Sequence, residues 1–183
     1  MAVVRDAVPV DISGSGMKLQ GWSCPTPLGP FSVVAHNGVA VAAGFTENFD
    51  ELLLPPNSDG IEMVSEIAGV TDRVEAYFGG DISAIDDIPI RPSGSERKIG
   101  AWKALRKAPP GPMSYKGLSE LMPPPASARS AARACATNPI CLIVPCHRFI
   151  GSDGKMHGYY WGLEVKEWLL DHEERFTTRS DPA

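Results

Sequence analysis

At 183 residues, with 43% apolar and 21% charged residues, the chain has the composition of an ordinary globular protein, with room for one domain or two small ones. Its net charge of −5 excludes indiscriminate nucleic-acid binding across the whole surface, while a local basic patch stays compatible with it. The opening residues 1–16 lack a basic start and a long apolar core, and no stretch approaches a membrane span, so neither a signal peptide nor a transmembrane segment is expected and the chain is placed in the cytoplasm.

Cys24, Cys135, Cys141 and Cys146 are few for this length, and three fall in one short region, which fits reduced thiols better than a disulfide framework. Zinc is the competing reading, disfavoured because the chain has no Cys-x-x-Cys pair. Acidic residues concentrate between Glu47 and Asp87, whereas Arg91 to Arg148 carries ten Lys and Arg against Glu96 and Glu120. The second half is the basic half.

In chain order, Leu19–Ser23 and Phe31–Phe45 are rich in β-formers, and Thr26–Pro30 and His36-Asn37-Gly38 are turn sequences. This predicts an antiparallel meander. Ile61, Val64, Ile67 and Ala68, then Val70, Val74 and Tyr77, recur at helical spacing, which predicts a helix over 61–78 stopped by Gly79-Gly80. Residues 82–90 read as an extended connection. A boundary falls at Arg91–Ser95, where composition and charge change, giving units 1–92 and 93–183.

Ile99, Trp102, Leu105 and Arg106 form one stripe of a helix ended by Pro109 to Pro112. Ser114 caps a short helix with Tyr115, Leu118 and Leu121, closed by Pro123-Pro124-Pro125; a second helix runs from Ser127 to Ala136 and stops at Asn138-Pro139. The pair outlines a helix-turn-helix. On the second helix Arg129 and Arg133 share a face with Ala132 and Ala136. The plain reading is a packed alanine helix with two solvated arginines; the alternative is a face that approaches nucleic acid closely.

Ile140–Val144 reads as a buried strand ended by Pro145, which sets Cys146 at a strand terminus. A nucleophilic cysteine needs a nearby base or positive charge, and His147 and Arg148 are the local candidates. Because adjacent strand residues face opposite ways, His147 would reach Cys146 only through a turn or a bridging water. Glu173, one turn beyond Leu169 on a terminal helix with a buried stripe of Val165, Trp168, Leu169 and His172, is the candidate carboxylate for that histidine. A merely structural cysteine is the plainer alternative. Against it stands the segment 151–162, rich in glycine and aromatics, whose Tyr159, Tyr160 and Trp161, with Phe149 and Cys141, would wall a pocket for a flat substrate.

Pro145-Cys146-His147-Arg148, preceded by Asn138-Pro139 and followed by Gly162-Leu163-Glu164 and Lys166-Glu167-Trp168-Leu169-Leu170, resembles the O6-alkylguanine-DNA alkyltransferases. Thr26–Pro30 and Val74–Gly80 extend the likeness into the first half. The resemblance implies an α+β protein with a ribonuclease-H-like amino-terminal domain and a winged-helix-like carboxy-terminal one. It implies transfer of an alkyl group from O6-alkylguanine, and from O4-alkylthymine, in double-stranded DNA onto Cys146, once per molecule, by a monomer without cofactor or metal. Its place would be the cytoplasm, nucleoid or nucleus.

By the same resemblance His147 acts through water as base with Glu173 behind it, and Asn138 orients the site. The helix of Arg129, with Ala132 and Arg133, enters the minor groove, and Arg129 fills the gap left by a flipped nucleotide that Tyr115 supports, with Ser114 also at the DNA. Departures are the missing aromatic at Ser95-Glu96-Arg97, the stiff Pro123–Pro125, Cys141 where proline is frequent, Tyr160 where a small hydroxyl residue is frequent in some members, and Trp161 where others have glycine. The last three concern pocket width and the range of alkyl groups. A non-reacting binder of damaged DNA, an alkylation-sensing regulator and a cysteine hydrolase are the competing readings. The presence of Cys146 disfavours the first, the lack of an effector domain the second, and the lack of a recognisable oxyanion-hole motif the third.

Overall fold

The computed structural model describes residues 17–56, 58–122 and 126–177. The predicted meander is present as β1 (Met17–Thr26), β2 (Gly29–His36) and β3 (Val39–Gly44), paired antiparallel. Asn37 and Gly38 both have positive φ, 51° and 74°, as a two-residue hairpin turn requires. Residues of β2 and β3 feed two cores: Phe31, Val33, Ala35 and Ala43 pack into the main one, Val34, Val41 and Ala42 into a second with Leu19 and Leu52. Both faces of this sheet are therefore covered.

The helix predicted over 61–78 is half wrong. Residues Ser58–Met63 form β4, an edge strand parallel to β1 that places Ile61 beside Leu19, and the helix α1 covers only Thr71–Phe78. Gly60 and Gly69, both at φ 73°, break the chain on either side of the stretch that mimicked a helical stripe. Ile67 belongs to the main core and Ile61 to the second, so their spacing never described one face. The 82–90 connection contains a 3-10 turn, Ala84–Asp87.

In the second half α2 (Glu96–Leu105), α3 (Tyr115–Leu121) and α4 (Ala128–Ala136) match expectation, and α5 (Leu163–Thr177) follows. Ser114 Oγ accepts from Gly117 N at 3.0 Å and Ser127 Oγ from Ser130 N at 3.2 Å, each capping its helix. α3 packs on α4, and Trp102 Nε1 of α2 donates to Ala134 O at 3.0 Å. The expected stop at Pro123–Pro125 lies outside the described residues. Two short strands, β5 (Met113–Ser114) and β6 (Phe149–Ile150), pair in parallel beside α3. The whole is a mixed α+β fold, and no helix among the described residues is long and apolar enough to cross a membrane.

The strand predicted at 140–144 is instead a tight, fully buried turn, with Leu142 at φ 68° and Val144 N donating to Ile140 O at 2.8 Å. Burial in a turn, not in a sheet, accounts for its unbroken apolar run. Only its start pairs with a strand: Ala43 N donates to Pro139 O at 2.9 Å and Cys141 N to Ala43 O at 3.1 Å. Further along β3, Ala40 N donates to Pro89 O and Arg91 N to Ala40 O, both at 2.8 Å. Two later segments thus occupy the otherwise unpaired edge of the first-half sheet.

Arg106, which the sequence sets on an apolar stripe, ties the same regions together through its guanidinium. It donates to Ile85 O (3.2 Å), Asp86 O (2.6 Å), Ile88 O (3.0 Å) and Ile143 O (2.8 Å). Arg106→Met keeps the stem and strands these carbonyls, so urea unfolding should show a loss of about 2–4 kcal/mol, several times that of a solvated arginine.

Candidate active site

Pro145 leads into a 3-10 turn, Cys146–Arg148, and this turn decides where three consecutive side chains point. With roughly three residues per turn, neighbours diverge by a third of a circle instead of alternating as on a strand. Cys146 lines a pocket, whereas His147 and Arg148 are directed to Glu173 on α5. Arg148, a candidate for activating the thiol, is thus engaged elsewhere. Its Nε and Nη2 hold Glu173 at 2.8 and 2.9 Å, and Nη1 donates to Ala108 O at 2.6 Å.

Glu173 is fully buried and accepts four hydrogen bonds, three of which the sequence did not point to: Arg148 supplies a pair and Tyr77 Oη of α1 donates at 3.0 Å, beside the expected bond from His147 Nε2 at 2.8 Å. Burial alone would raise its pKa, but His147 and Arg148 outweigh burial and pull it down to about 2. A carboxylate only accepts, so Nε2 of His147 carries the ring proton and Nδ1 is the basic atom. Nδ1 is buried with no hydrogen-bond partner among the described residues. Burial lowers the pKa of His147 against the opposing pull of Glu173, which keeps the ring neutral.

The pocket has an empty volume of about 260 Å³, its open mouth included. Its lining comes from α3 (Tyr115), α4 (Cys135, Ala136), the buried turn (Cys141), the 3-10 turn (Cys146), the aromatic loop (Gly158, Tyr159, Tyr160) and α5 (Lys166). Of the pocket residues read from the sequence, Tyr159, Tyr160 and Cys141 are brought together there, and Tyr115, expected at the DNA, lines the same pocket. Phe149 and Trp161 do not line it. Phe149 is a core residue whose carbonyl accepts from Lys166 Nζ at 2.5 Å, and Trp161 lies so close over Gly44 of β3 that a Cβ there would come within 2.0 Å of its ring.

Asn138 sits under the thiol. Its Nδ2 donates to Cys146 Sγ at 3.1 Å and to Val144 O at 2.8 Å, and its Oδ1 accepts from Ile140 N at 3.0 Å, which closes the buried turn around the cysteine. Cys146 has a lowered pKa: a hydrogen bond from Cys141 is the largest influence, burial opposes it, and Asn138 and Lys166 assist. Burial pushes the Cys135 thiol up, and contact with Cys146 together with burial does the same to Cys141. Among the three thiols of the pocket, Cys146 is the one favoured as thiolate.

Lys166 is a site residue that the sequence reading missed. It is buried, donates to Tyr115 Oη at 3.3 Å, and its charge favours the ionised form of the Cys146 thiol. The signal that could have found it is its position on the helical stripe: Lys166, Leu169 and Glu173 recur at i, i+3 and i+7. Burial and the nearby thiols push the Tyr115 phenol up to about 12. On the outer face, Arg129 and Arg133 are exposed and form no ion pair with a described residue, Ala132 is half-buried, and Ala131 and Ala134 face the core. Cys24 lies apart on β1, and among the described residues no three His, Cys, Asp or Glu side chains gather as metal ligands.

Residues 97–175 match the family model described as the DNA-binding domain of 6-O-methylguanine DNA methyltransferase. A methylated-DNA–protein-cysteine methyltransferase of Shigella flexneri is 37% identical over 156 residues, covering 81% of this chain and 91% of its own length. One from Methanosarcina barkeri is 34% identical over 150 residues, covering 81% and 93%. Among solved structures, the Mycobacterium tuberculosis O6-methylguanine methyltransferase superposes with a TM-score of 0.73 at 29% identity, covering 90% of this chain and 96% of that one. The Mycobacterium tuberculosis OGT in complex with DNA gives 0.73 at 28% identity, covering 85% and 93%.

The His147–Glu173 pair makes stability depend on pH in one direction. The folded state resists protonation of both groups, so the unfolded chain binds more protons and stability falls as pH falls. The His147 share is complete above about pH 6.5 and erodes below it; the Glu173 share is complete above about pH 4.3 and is lost as pH approaches about 2. Urea midpoints measured from pH 8 to about pH 2 should decline in two stages, and Glu173→Gln should flatten the lower one.

Proposed function

Because the chain belongs to the methylated-DNA–protein-cysteine methyltransferase family, we propose that Cys146 is the cysteine that receives the alkyl group when the protein repairs DNA. The observation that carries this assignment is the thiol itself: it lies at the pocket wall, donated to by Asn138 Nδ2 at 3.1 Å, with its ionised form favoured where the two other pocket thiols keep their protons.

In the proposed reaction the Cys146 thiolate attacks the alkyl carbon of O6-alkylguanine. The S–C bond forms as the C–O6 bond breaks, the electron pair stays with guanine, and the proton first held by the thiol ends on the restored base. His147 Nδ1 takes that proton through a water while Glu173 steadies the charge, and Asn138 aligns the sulfur. The thioether offers no leaving group to water or an ordinary thiol, so each molecule acts once. O4-alkylthymine presents the same alkyl–oxygen bond and is the second substrate.

A base within the duplex cannot reach a buried thiol, so the nucleotide has to be extruded at a cost of a few kcal/mol. An inserted side chain offsets part of that cost. The small residues of α4 permit close approach to DNA, Arg129 fills the vacated stack, Arg133 and Ser114 contact the backbone, and Tyr115 supports the flipped nucleotide beside the pocket. On this reading 1–92 is a ribonuclease-H-like domain and 93–183 a winged-helix-like DNA-binding domain, and the protein acts as a monomer in the cytoplasm or at the chromosome. The sheet before residue 92 and the capped helix pair after it support that division.

Incubation with a duplex containing O6-methylguanine should make the protein heavier by one methyl group, which peptide mapping should locate on Cys146, with unmodified guanine recovered. Cys146→Ser should abolish transfer and retain DNA affinity; a methyl group found on Cys135 or Cys141 would overturn the assignment. Arg129→Ala should slow transfer from duplex DNA by one to two orders of magnitude, the effect of losing a few kcal/mol of extrusion energy.

A further inference from the structure

Three donors converge on a single oxygen of Glu173. Tyr77 Oη donates to Oε1 at 3.0 Å, His147 Nε2 at 2.8 Å and Arg148 Nη2 at 2.9 Å, while Oε2 takes Arg148 Nε at 2.8 Å. Tyr77 of α1 and His147 of the cysteine-bearing turn are thus neighbours through one atom. The phenol is held in that direction: its ring is fully buried, edge-on to Phe78 at 5.5 Å and tilted against His172 at 5.3 Å, and its own carbonyl accepts from His172 Nε2 at 2.8 Å. Burial and the Glu173 carboxylate raise its pKa, so the group stays a hydroxyl and donates.

From this shared oxygen we infer that Tyr77 is a positioning residue for the transfer reaction: it takes up part of the Glu173 charge and so holds His147 in the neutral form that accepts a proton. The inference deepens the reading of His147 as the base of that reaction and rests on it. A histidine paired with a carboxylate is drawn toward imidazolium, and an imidazolium has no free Nδ1 to receive the proton of Cys146. An O–H dipole aimed at Oε1 sets its positive end beside the Nε2–H and opposes protonation of the ring, and in a buried site that opposition is little screened. Arg148, on the same oxygen, acts in the same sense. The other ionisable groups around the network are Lys166 of α5, which also disfavours the imidazolium, Asp86 of the 3-10 turn after α1, near Arg148 and Glu173, and Tyr159 of the aromatic loop, near Tyr77. Among the described residues Tyr77, His147 and Arg148 are the donors to Oε1, and Tyr77 is the uncharged one that stays outside the cysteine turn. A plain brace would fix Glu173 in place without changing the proton affinity of the ring.

The test compares the full-length wild type with Tyr77→Phe, which keeps the ring and loses the donor, both carrying isotope-labelled histidine. The His147 signals are identified by their loss in His147→Gln. The His147 titration, followed by NMR without DNA, should move up by about half to one pH unit in Tyr77→Phe. At neutral pH its Nε2–H proton should move downfield, because an unshared Oε1 draws it closer; this readout needs no acid. A fluorinated tyrosine at position 77, nearly the same shape and a stronger donor, should displace both readings the opposite way without loss of packing. Single-turnover methyl transfer from an O6-methylguanine duplex should match wild type at about pH 8 and fall short by about three- to tenfold on the acid side in Tyr77→Phe, the factor that this shift represents. Ser32→Ala is the control, since it too removes a buried hydroxyl donor of the first half, one bonded to Thr46 O at 2.6 Å. It should lower stability and leave the His147 ring unchanged. Coincident titrations and Nε2–H resonances across wild type, Tyr77→Phe and the fluorinated protein would overturn the inference even if melting temperature or rate falls, since a brace alters those and not the proton affinity. A shifted ring in a protein whose wild type transfers no methyl group would instead overturn the repair function and leave the charge sharing standing.

Discussion

The burial of the Glu173 carboxylate governs the layout around the cysteine. A lone carboxylate at zero exposure would cost several kcal/mol or take up a proton, so it has to be met by donors from several directions. Those donors are supplied by the turn that bears the thiol, through His147 and Arg148, and by the first half of the chain, through Tyr77. Satisfying this one anion orients the imidazole, fixes the 3-10 turn and registers α1 against α5. His172, next in line, donates to or accepts nothing at the thiol but bonds Tyr77 O at 2.8 Å and stacks on Trp168, so the same contact is braced from behind. Removing one member of such a set costs more than the pair is worth, because its partners remain buried and charged.

Much of the site was legible because its chemistry is local. Cys146-His147-Arg148 is contiguous, Asn138 lies a short turn away, and the capping serines 114 and 127 announce their helices by residue type. Glu173 was reachable through the periodicity of α5, since a polar residue on a buried stripe demands a partner. What stayed hidden depends on contacts distant in sequence. Tyr77 reads as an ordinary aromatic on a core face until its hydroxyl is seen at Glu173, and Lys166 reads as a solvated lysine until its Nζ is found among backbone carbonyls.

The two local misreadings have a common source in how apolar residues are counted. At 61–68 residues belonging to two different cores fell by chance at helical spacing, and two glycines with positive φ broke what the pattern joined. At 140–144 an unbroken apolar run was taken for a strand, although a turn whose carbonyls and amides are met by Asn138 and by its own backbone can be equally buried. The strand reading also led to the expectation that Cys146 and His147 face opposite ways, whereas the 3-10 turn sends them in different directions for another reason. In the same way Trp161, expected at the pocket, is drawn instead onto the bare backbone of Gly44.

The edge of β3 carries a consequence for how the molecule is made. Its partners, residues 89–91 and 139–141, lie far downstream, so during synthesis the first three strands emerge with open N–H and C=O groups along that edge. A nascent chain in that condition is vulnerable to strand addition by a neighbouring copy until the cysteine-bearing segment arrives and closes the sheet. The segment that presents the thiol is therefore also the seal of the amino-terminal sheet, and a chain cut short before it would lose its solubility together with its chemistry.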